Sequence, residues 1–407
     1  MKIRAVYFFV FVFSISTVLI AETNSAVVNN RKPEFLRFKK LQNNAFAYAY
    51  YIRSSYLRNL VGAYLKSGKP DESSKKLIVD SLLYLERALK YTHDVPFLWK
   101  EYAVYNSGIG RMDGVIFACE KLAELEPSPE IYYKLGQLYN SKGNLEKAVD
   151  NFNLYLTYIP GDAKVKEYVA QLHINSGLKN EIVNNQIKAK SCFRQALNII
   201  NGLLTEKENA RLLFRKGFVL ELLGNPENAL EAYSKAILLE PGNLEPYFRA
   251  SNIYYAKGEK AAFAGNPEKA KEFYAEAAKT ILLIVPEKKD NPEMLNYAAY
   301  LLALLGERLD FAEKLVVMAM EKDKNNSAFI DTLGWIHFKK GDAQNALTNV
   351  LNARESGGDD PVISDHLGDI YLKLGKPDKA KEMWLKSLDM EAGNTNVRIK
   401  IDALENP

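Results

Sequence analysis

The 407-residue sequence predicts an all-α array of about nine helical hairpins, and three observations predict it. Small residues recur at one helical phase at Ala103, Gly136, Ala170, Gly217, Ser251, Ala299, Gly334 and Gly368, at intervals of 33, 34, 47, 34, 48, 35 and 34 residues. Turn glycines (Gly143, Gly224, Gly258, Gly341, Gly375) follow, where a left-handed cap costs glycine nothing, and Pro127, Pro160, Pro241 and Pro286 stop the helices after them. Hydrophobic residues at 47% and charged residues at 26% are globular values, which excludes a disordered or collagen-like chain.

Residues 1–26 read as an export signal. Lys2 and Arg4 precede an apolar run from Ala5 to Ala21, broken only by Ser14, Ser16 and Thr17, with small residues Ala21 and Ala26 behind it. A retained inner-membrane anchor formed by residues 5–21 is the alternative. Either form places the rest of the chain in the periplasm or cell envelope. Residues 27–95 form a basic N-terminal region. From 27 to 66 there are eight basic residues (Arg31, Lys32, Arg37, Lys39, Lys40, Arg53, Arg58, Lys66) against Glu34, a surface suited to anionic lipid. Within it, 43–66 and 71–91 are the two helices of a degenerate first hairpin.

Residues 96–200 and 201–289 each contain one extended hairpin. Seven additional residues separate Gly177 from Ala189 and Gly258 from Ala270, and both insertions are helix extensions. Residues 201–207 read as a linker. Residues 290–391 complete the array and 392–407 form a capping tail. Within each hairpin Gly136, Gly217, Gly334 and Gly368 let two helices touch, and Ala148, Ala229, Ala346 and Ala380 do the same from the second helix. On this phase Asp331 faces the groove, so Gly334→Leu is expected to damage the fold more than Asp331→Ala.

The repeated unit has a distinct pattern. Trp99 leads to Ala103, and Tyr132 to Leu135-Gly136, Tyr139, Ala148, Phe152 and Pro160. It recurs in Asp331-Thr-Leu-Gly-Trp335 and in Asp365-His-Leu-Gly-Asp369 with Tyr371 and Ala380. It resembles the tetratricopeptide repeat (TPR) family from about residue 44 to 391. The segment Asp378–Trp384 is similar to the closing repeat of exported bacterial envelope proteins of that family. The resemblance implies a right-handed superhelix and a non-catalytic scaffold that binds protein or peptide partners in its concave groove. It further implies a role in assembling envelope machinery such as pili, secretion systems, or lipopolysaccharide or exopolysaccharide export.

Chemistry has little purchase here. Gly62 to Pro70 imitates a phosphate loop but has one residue too many, and Pro70 stands where Ser or Thr would hold magnesium. Four histidines (His93, His173, His337, His366) have no metal-ligand spacing, although His337 and His366 sit on the first helices of neighbouring repeats. Cys119 and Cys192 read as unpaired buried thiols. No nucleophile motif surrounds a serine, so no catalysis, cofactor or metal is expected. The net charge of +4 is too balanced for a nucleic-acid binder.

A binding face is legible instead. The residue after each close-packing position points into the groove of a stacked array, and so do those one turn away. In the middle and C-terminal repeats these are Phe214, Arg215, Phe218, Phe248, Asn252, Tyr255, Asn296, Tyr300, Asp331, Trp335 and Phe338, centred on Phe218, Phe248, Tyr300 and Trp335. An aromatic stripe of this size suits a protein or peptide partner. A periplasmic glycan- or small-solute-binding module using the same rings is the alternative.

Overall fold

The computed structural model describes residues 44–66 and 72–405, and among them are nineteen helices and no strand. The export segment, the basic stretch up to residue 43 and the far end of the phosphate-loop imitation lie outside the described residues. The chain divides after Ile199 into two units. The first contains the hairpins α1 (Ala45–Lys66) with α2 (Glu72–Tyr91), α3 (Pro96–Gly108) with α4 (Met112–Leu125), and α5 (Pro129–Ser141) with α6 (Leu145–Tyr158). It continues through α7 (Ala163–Ile182) into α8 (Gln186–Glu206), which runs across the division.

The second unit contains α9 (Ala210–Leu222) with α10 (Pro226–Leu239), α11 (Leu244–Phe263) with α12 (Pro267–Leu282), and α13 (Pro292–Leu305) with α14 (Leu309–Lys322). It ends with α15 (Ser327–Lys339) and α16 (Ala343–Gly357), α17 (Pro361–Lys373) and α18 (Pro377–Met390), and a single capping helix α19 (Thr395–Glu405). Among the described residues these helices form the all-α repeat array that the sequence predicts.

One turn design joins the two helices of most hairpins. After α5, Gly143 takes a left-handed conformation (φ 74°), and the N–H of Asn144 reaches back to the Tyr139 carbonyl at 3.0 Å. The Asn144 side chain then accepts from the N–H of Lys147 at 3.2 Å and starts α6. Asn225, Asn266 and Asp342 cap α10, α12 and α16 in the same way, each such cap contributing about 1 kcal/mol.

The close-packing register is regular. A Cβ placed on Gly136, Gly177, Gly217, Gly258, Gly334 or Gly368 would lie 2.2–2.8 Å from a side chain of Phe152, Phe193, Tyr233, Tyr274, Val350 or Trp384 respectively. Each of these pairs is sixteen residues apart in the sequence. This corrects two sequence assignments. Gly177 and Gly258 do not end their helices; they are the contact positions of the extended hairpins, and the turn residues are Asn184 (φ 58°) and Gly265 (φ 72°).

The extension is real but sits on the N-terminal side of the contact. Helices α7 and α11 have 20 residues where α5 and α9 have 13. Seven residues are close to two full turns, so Ala170 and Ser251 lie on nearly the same helix face as Gly177 and Gly258, which hid the shift. Gly258→Leu is accordingly expected to cost about 1–3 kcal/mol by overpacking against Tyr274, a loss that thermal denaturation will register.

Other expectations resolve plainly. Ala148, Ala229, Ala346 and Ala380 are fully buried, and Cys119 and Cys192 are free and buried. The linker expected at 201–207 is mostly helix, because α8 runs on to Glu206 with Gly202 unopposed inside it. Tyr139 joins the preceding hairpin, its hydroxyl donating to Glu120 of α4.

Candidate partner-binding face

The inner helices of the second unit are α9, α11, α13, α15 and α17, and the residues expected to line a groove divide into two groups. The first group is open. Phe218 follows the contact residue Gly217 and is half-buried, with the Arg249 guanidinium 4.6 Å from its ring centre. Arg249 also pairs with Glu221 at 3.2 Å, its side chain remaining 41% exposed. Glu221 accepts from the Tyr233 hydroxyl at 2.8 Å. Burial, then the Glu221 carboxylate, push the Tyr233 phenol far above its ordinary range. Asn252 is exposed on α11, while Phe214 and Arg215 are half-buried beside Phe218 on α9. Phe248 stacks on Tyr297 at 5.6 Å.

The second group is closed. Tyr255 and Tyr300 share a hydrogen bond, and burial holds both phenols high. Trp335 is only 6% exposed, its ring stacked at 4.0 Å on His366 and at 4.9 Å on Phe338. His366 Nδ1 lies 2.9 Å from Asp331, and their side chains are 5% and 8% exposed. Asp331 and Trp335, both expected in the groove, are therefore interior residues. Asn296 is half-buried one turn before Tyr300. His366 approaches Asp331, not His337, and among the described residues no group of three potential metal ligands occurs.

The capping helix continues the same pattern. Lys400 of α19 reaches Asp365 at 2.7 Å and Asp369 at 2.8 Å, and α19 packs on α18 and touches α11. Burial depresses the Lys400 ammonium, but the two carboxylates outweigh it and hold it above its ordinary range. Sequence reading missed this contact and the Asp331–His366 pair, although both leave a signal. Asp331 to His366 and Asp365 to Lys400 are each separated by 35 residues, one period plus one, the offset at which one inner helix reaches back to the last.

The buried pair gives stability a pH dependence of definite sign. Burial lowers the His366 pKa, but the Asp331 carboxylate and its hydrogen bond outweigh it, so the folded value lies above the ordinary one. A raised imidazolium stabilises the fold fully below the unfolded value of about 6.5 and loses that contribution as pH rises through the folded value. The melting temperature should therefore fall as pH is raised above about 6.5, and Asp331→Asn should flatten that part of the profile. A wild-type curve already flat there would contradict the pairing.

The tetratricopeptide repeat profile matches residues 129–162, 210–243 and 365–394. The chain carries tetratricopeptide repeats over these three segments. The match at 210–243 covers α9 and α10 with Phe218, and that at 365–394 begins within α17 just before His366 and takes in α18. TPR repeat-containing protein MJ1428 of Methanocaldococcus jannaschii is 26% identical over 307 residues, which cover 63% of this chain and 51% of that protein. TPR repeat-containing protein YpiA of Bacillus subtilis is 23% identical over 258 residues, covering 63% and 55% respectively. The chain thus spans about half the length of these curated relatives. Among solved structures, a tetratricopeptide repeat protein from Parabacteroides merdae aligns over 68% of this chain and 98% of its own at 14% identity and a TM-score of 0.46. YrrB, described as a TPR protein with an unusual peptide-binding site, aligns over 49% and 96% at 19% identity and a TM-score of 0.33.

Proposed function

We propose that this protein is a non-catalytic scaffold of the bacterial cell envelope that holds a partner protein or peptide on the open part of its inner face, from α9 to the start of α11. The observation that carries the reading is the Phe218–Arg249–Glu221 cluster beside exposed Asn252. It offers an aromatic surface, a partly exposed guanidinium and a free carboxamide in one place. Aromatic rings and arginines of this kind are enriched among residues that dominate binding energy. Tyr255, Asn296, Tyr300, Asp331, Trp335 and Phe338 support that surface from behind and do not touch the partner. The glycan-binding alternative loses its platform, because Trp335 is buried and its ring stacks on His366 and Phe338.

The envelope setting rests on the basic and apolar layout of residues 1–26. Assembly of pili, secretion systems, or lipopolysaccharide or exopolysaccharide export is the corresponding role. A reporter enzyme active only outside the cytoplasm, fused after residue 43, should be active; an inactive fusion would overturn the setting. The binding face is tested by affinity capture from crosslinked envelope fractions. Phe218→Ala with Arg249→Ala should lose the captured partner while keeping wild-type helicity. Retention of the same partner by that folded variant would move the binding face elsewhere.

A further inference from the structure

A stacked repeat array is ordinarily finished at its ends by a polar face, since no neighbour covers it. The first hairpin departs from this. Between Ala45 and Leu60 the larger exposed side chains of α1 include Phe46, Ile52, Arg53 and Tyr56, which with Ala49 and Asn59 fill one arc of about 140°. Phe46 is 66% exposed and Tyr56 62%. No Asp or Glu occurs anywhere in α1.

Helix α2 continues the same surface with exposed Val79, Leu83, Arg87, Lys90 and Tyr91. The two helices are joined across it by rings, Phe46 stacking on Tyr91 at 5.5 Å and Tyr50 on Tyr91 at 5.8 Å. Arg53 and Arg87 lie 5.0 and 5.4 Å from the centre of the Tyr84 ring. The charges on these exposed positions are all basic. Asp80 and Glu86 of α2 are half-buried, and Glu86 accepts from the Tyr102 hydroxyl of α3 at 3.3 Å.

We propose that this face docks on an anionic membrane surface. Amphipathic rings settle at headgroup depth, and arginines lying beside them reach lipid phosphates. An acidic protein would satisfy the arginines, but a lipid interface also accounts for Phe46, Ile52, Val79 and Leu83, which no other described helix covers. In the anchored form of the chain its position agrees, because the apolar stretch ends at Ala21, 23 residues before Asn44. At no more than about 3.5 Å per residue, that spacing keeps the hairpin within roughly 80 Å of it.

The test uses the chain from residue 27 onward, which retains every described helix and removes the apolar stretch as a competing cause. Co-sedimentation is measured with vesicles of phosphatidylcholine alone and of phosphatidylcholine with phosphatidylglycerol. Binding is expected only to the anionic vesicles and should weaken with salt. Arg53→Gln with Arg87→Gln should weaken it about thirty-fold, at about one kilocalorie per mole for each basic residue. Phe46→Ser with Tyr56→Ser should abolish it at wild-type helicity, since both side chains are exposed. No binding to anionic vesicles would overturn the proposal, as would binding that both variants retain. Loss of an acidic protein partner in the arginine variant, without vesicle binding by the wild type, would make the face a protein interface instead.

Discussion

Asp331→Ala is expected to destabilise the second unit by about 3–5 kcal/mol, because it leaves the imidazolium of His366 buried without its counter-charge. The sequence ranks this change as the mild one, on the assumption that Asp331 faces the groove. Its burial reverses the order. Gly334→Leu also costs, since a Cβ there would lie 2.5 Å from Val350 Cγ2, but overpacking typically amounts to about 1–3 kcal/mol. Urea denaturation of both variants at pH 6 should place Asp331→Ala below Gly334→Leu. The gap should narrow as pH rises through the raised His366 pKa, since the ring then loses its charge and needs its partner less. Asp331→Ala within about 0.5 kcal/mol of wild type would restore the groove-facing assignment.

The second large effect concerns the rings. A triple change of Phe218, Tyr300 and Trp335 to alanine should melt well below the wild type and lose partner capture only as a consequence. Truncating a buried aromatic costs about 3–5 kcal/mol, and both Tyr300 and Trp335 are held on several sides. Two such losses approach the whole stability of an ordinary domain, about 5–15 kcal/mol. Phe218→Ala alone should fold. A triple variant that keeps the wild-type melting temperature would show that these rings stand free in the groove.

The sequence made the period, the hairpin count, the capping helix and the buried alanines legible, because each follows from spacing along one helix and across one turn. The misplaced extension has a physical cause. A seven-residue insertion returns almost to the same helical phase, so Ala170 and Gly177, like Ser251 and Gly258, look equivalent until the partner side chains Phe193 and Tyr274 are located. The inner face was legible as a surface but not in its burial. Whether Trp335 meets solvent depends on His366, 31 residues later, and on how tightly successive inner helices follow one another. Helical phase carries no information about that distance. The 35-residue spacing of Asp331–His366 and Asp365–Lys400 was visible, yet it becomes a signal only once inner helices are known to pair at that offset. The exposed face of α1 was legible as a row of tyrosines, while its lack of a covering neighbour among the described residues was not.

Central to this account is a partner that lies on the open inner face beside Phe218 and not on the outer helices. A photo-crosslinking residue placed at Asn252, exposed on α11, reports that face directly. The same residue at Leu238, 79% exposed near the end of α10, serves as the comparison. Crosslinking to one discrete partner from position 252, absent from position 238 and lost when Phe218→Ala and Arg249→Ala are added, is the predicted result. Crosslinking from position 238 with none from 252, in a protein of unchanged helicity, would contradict it.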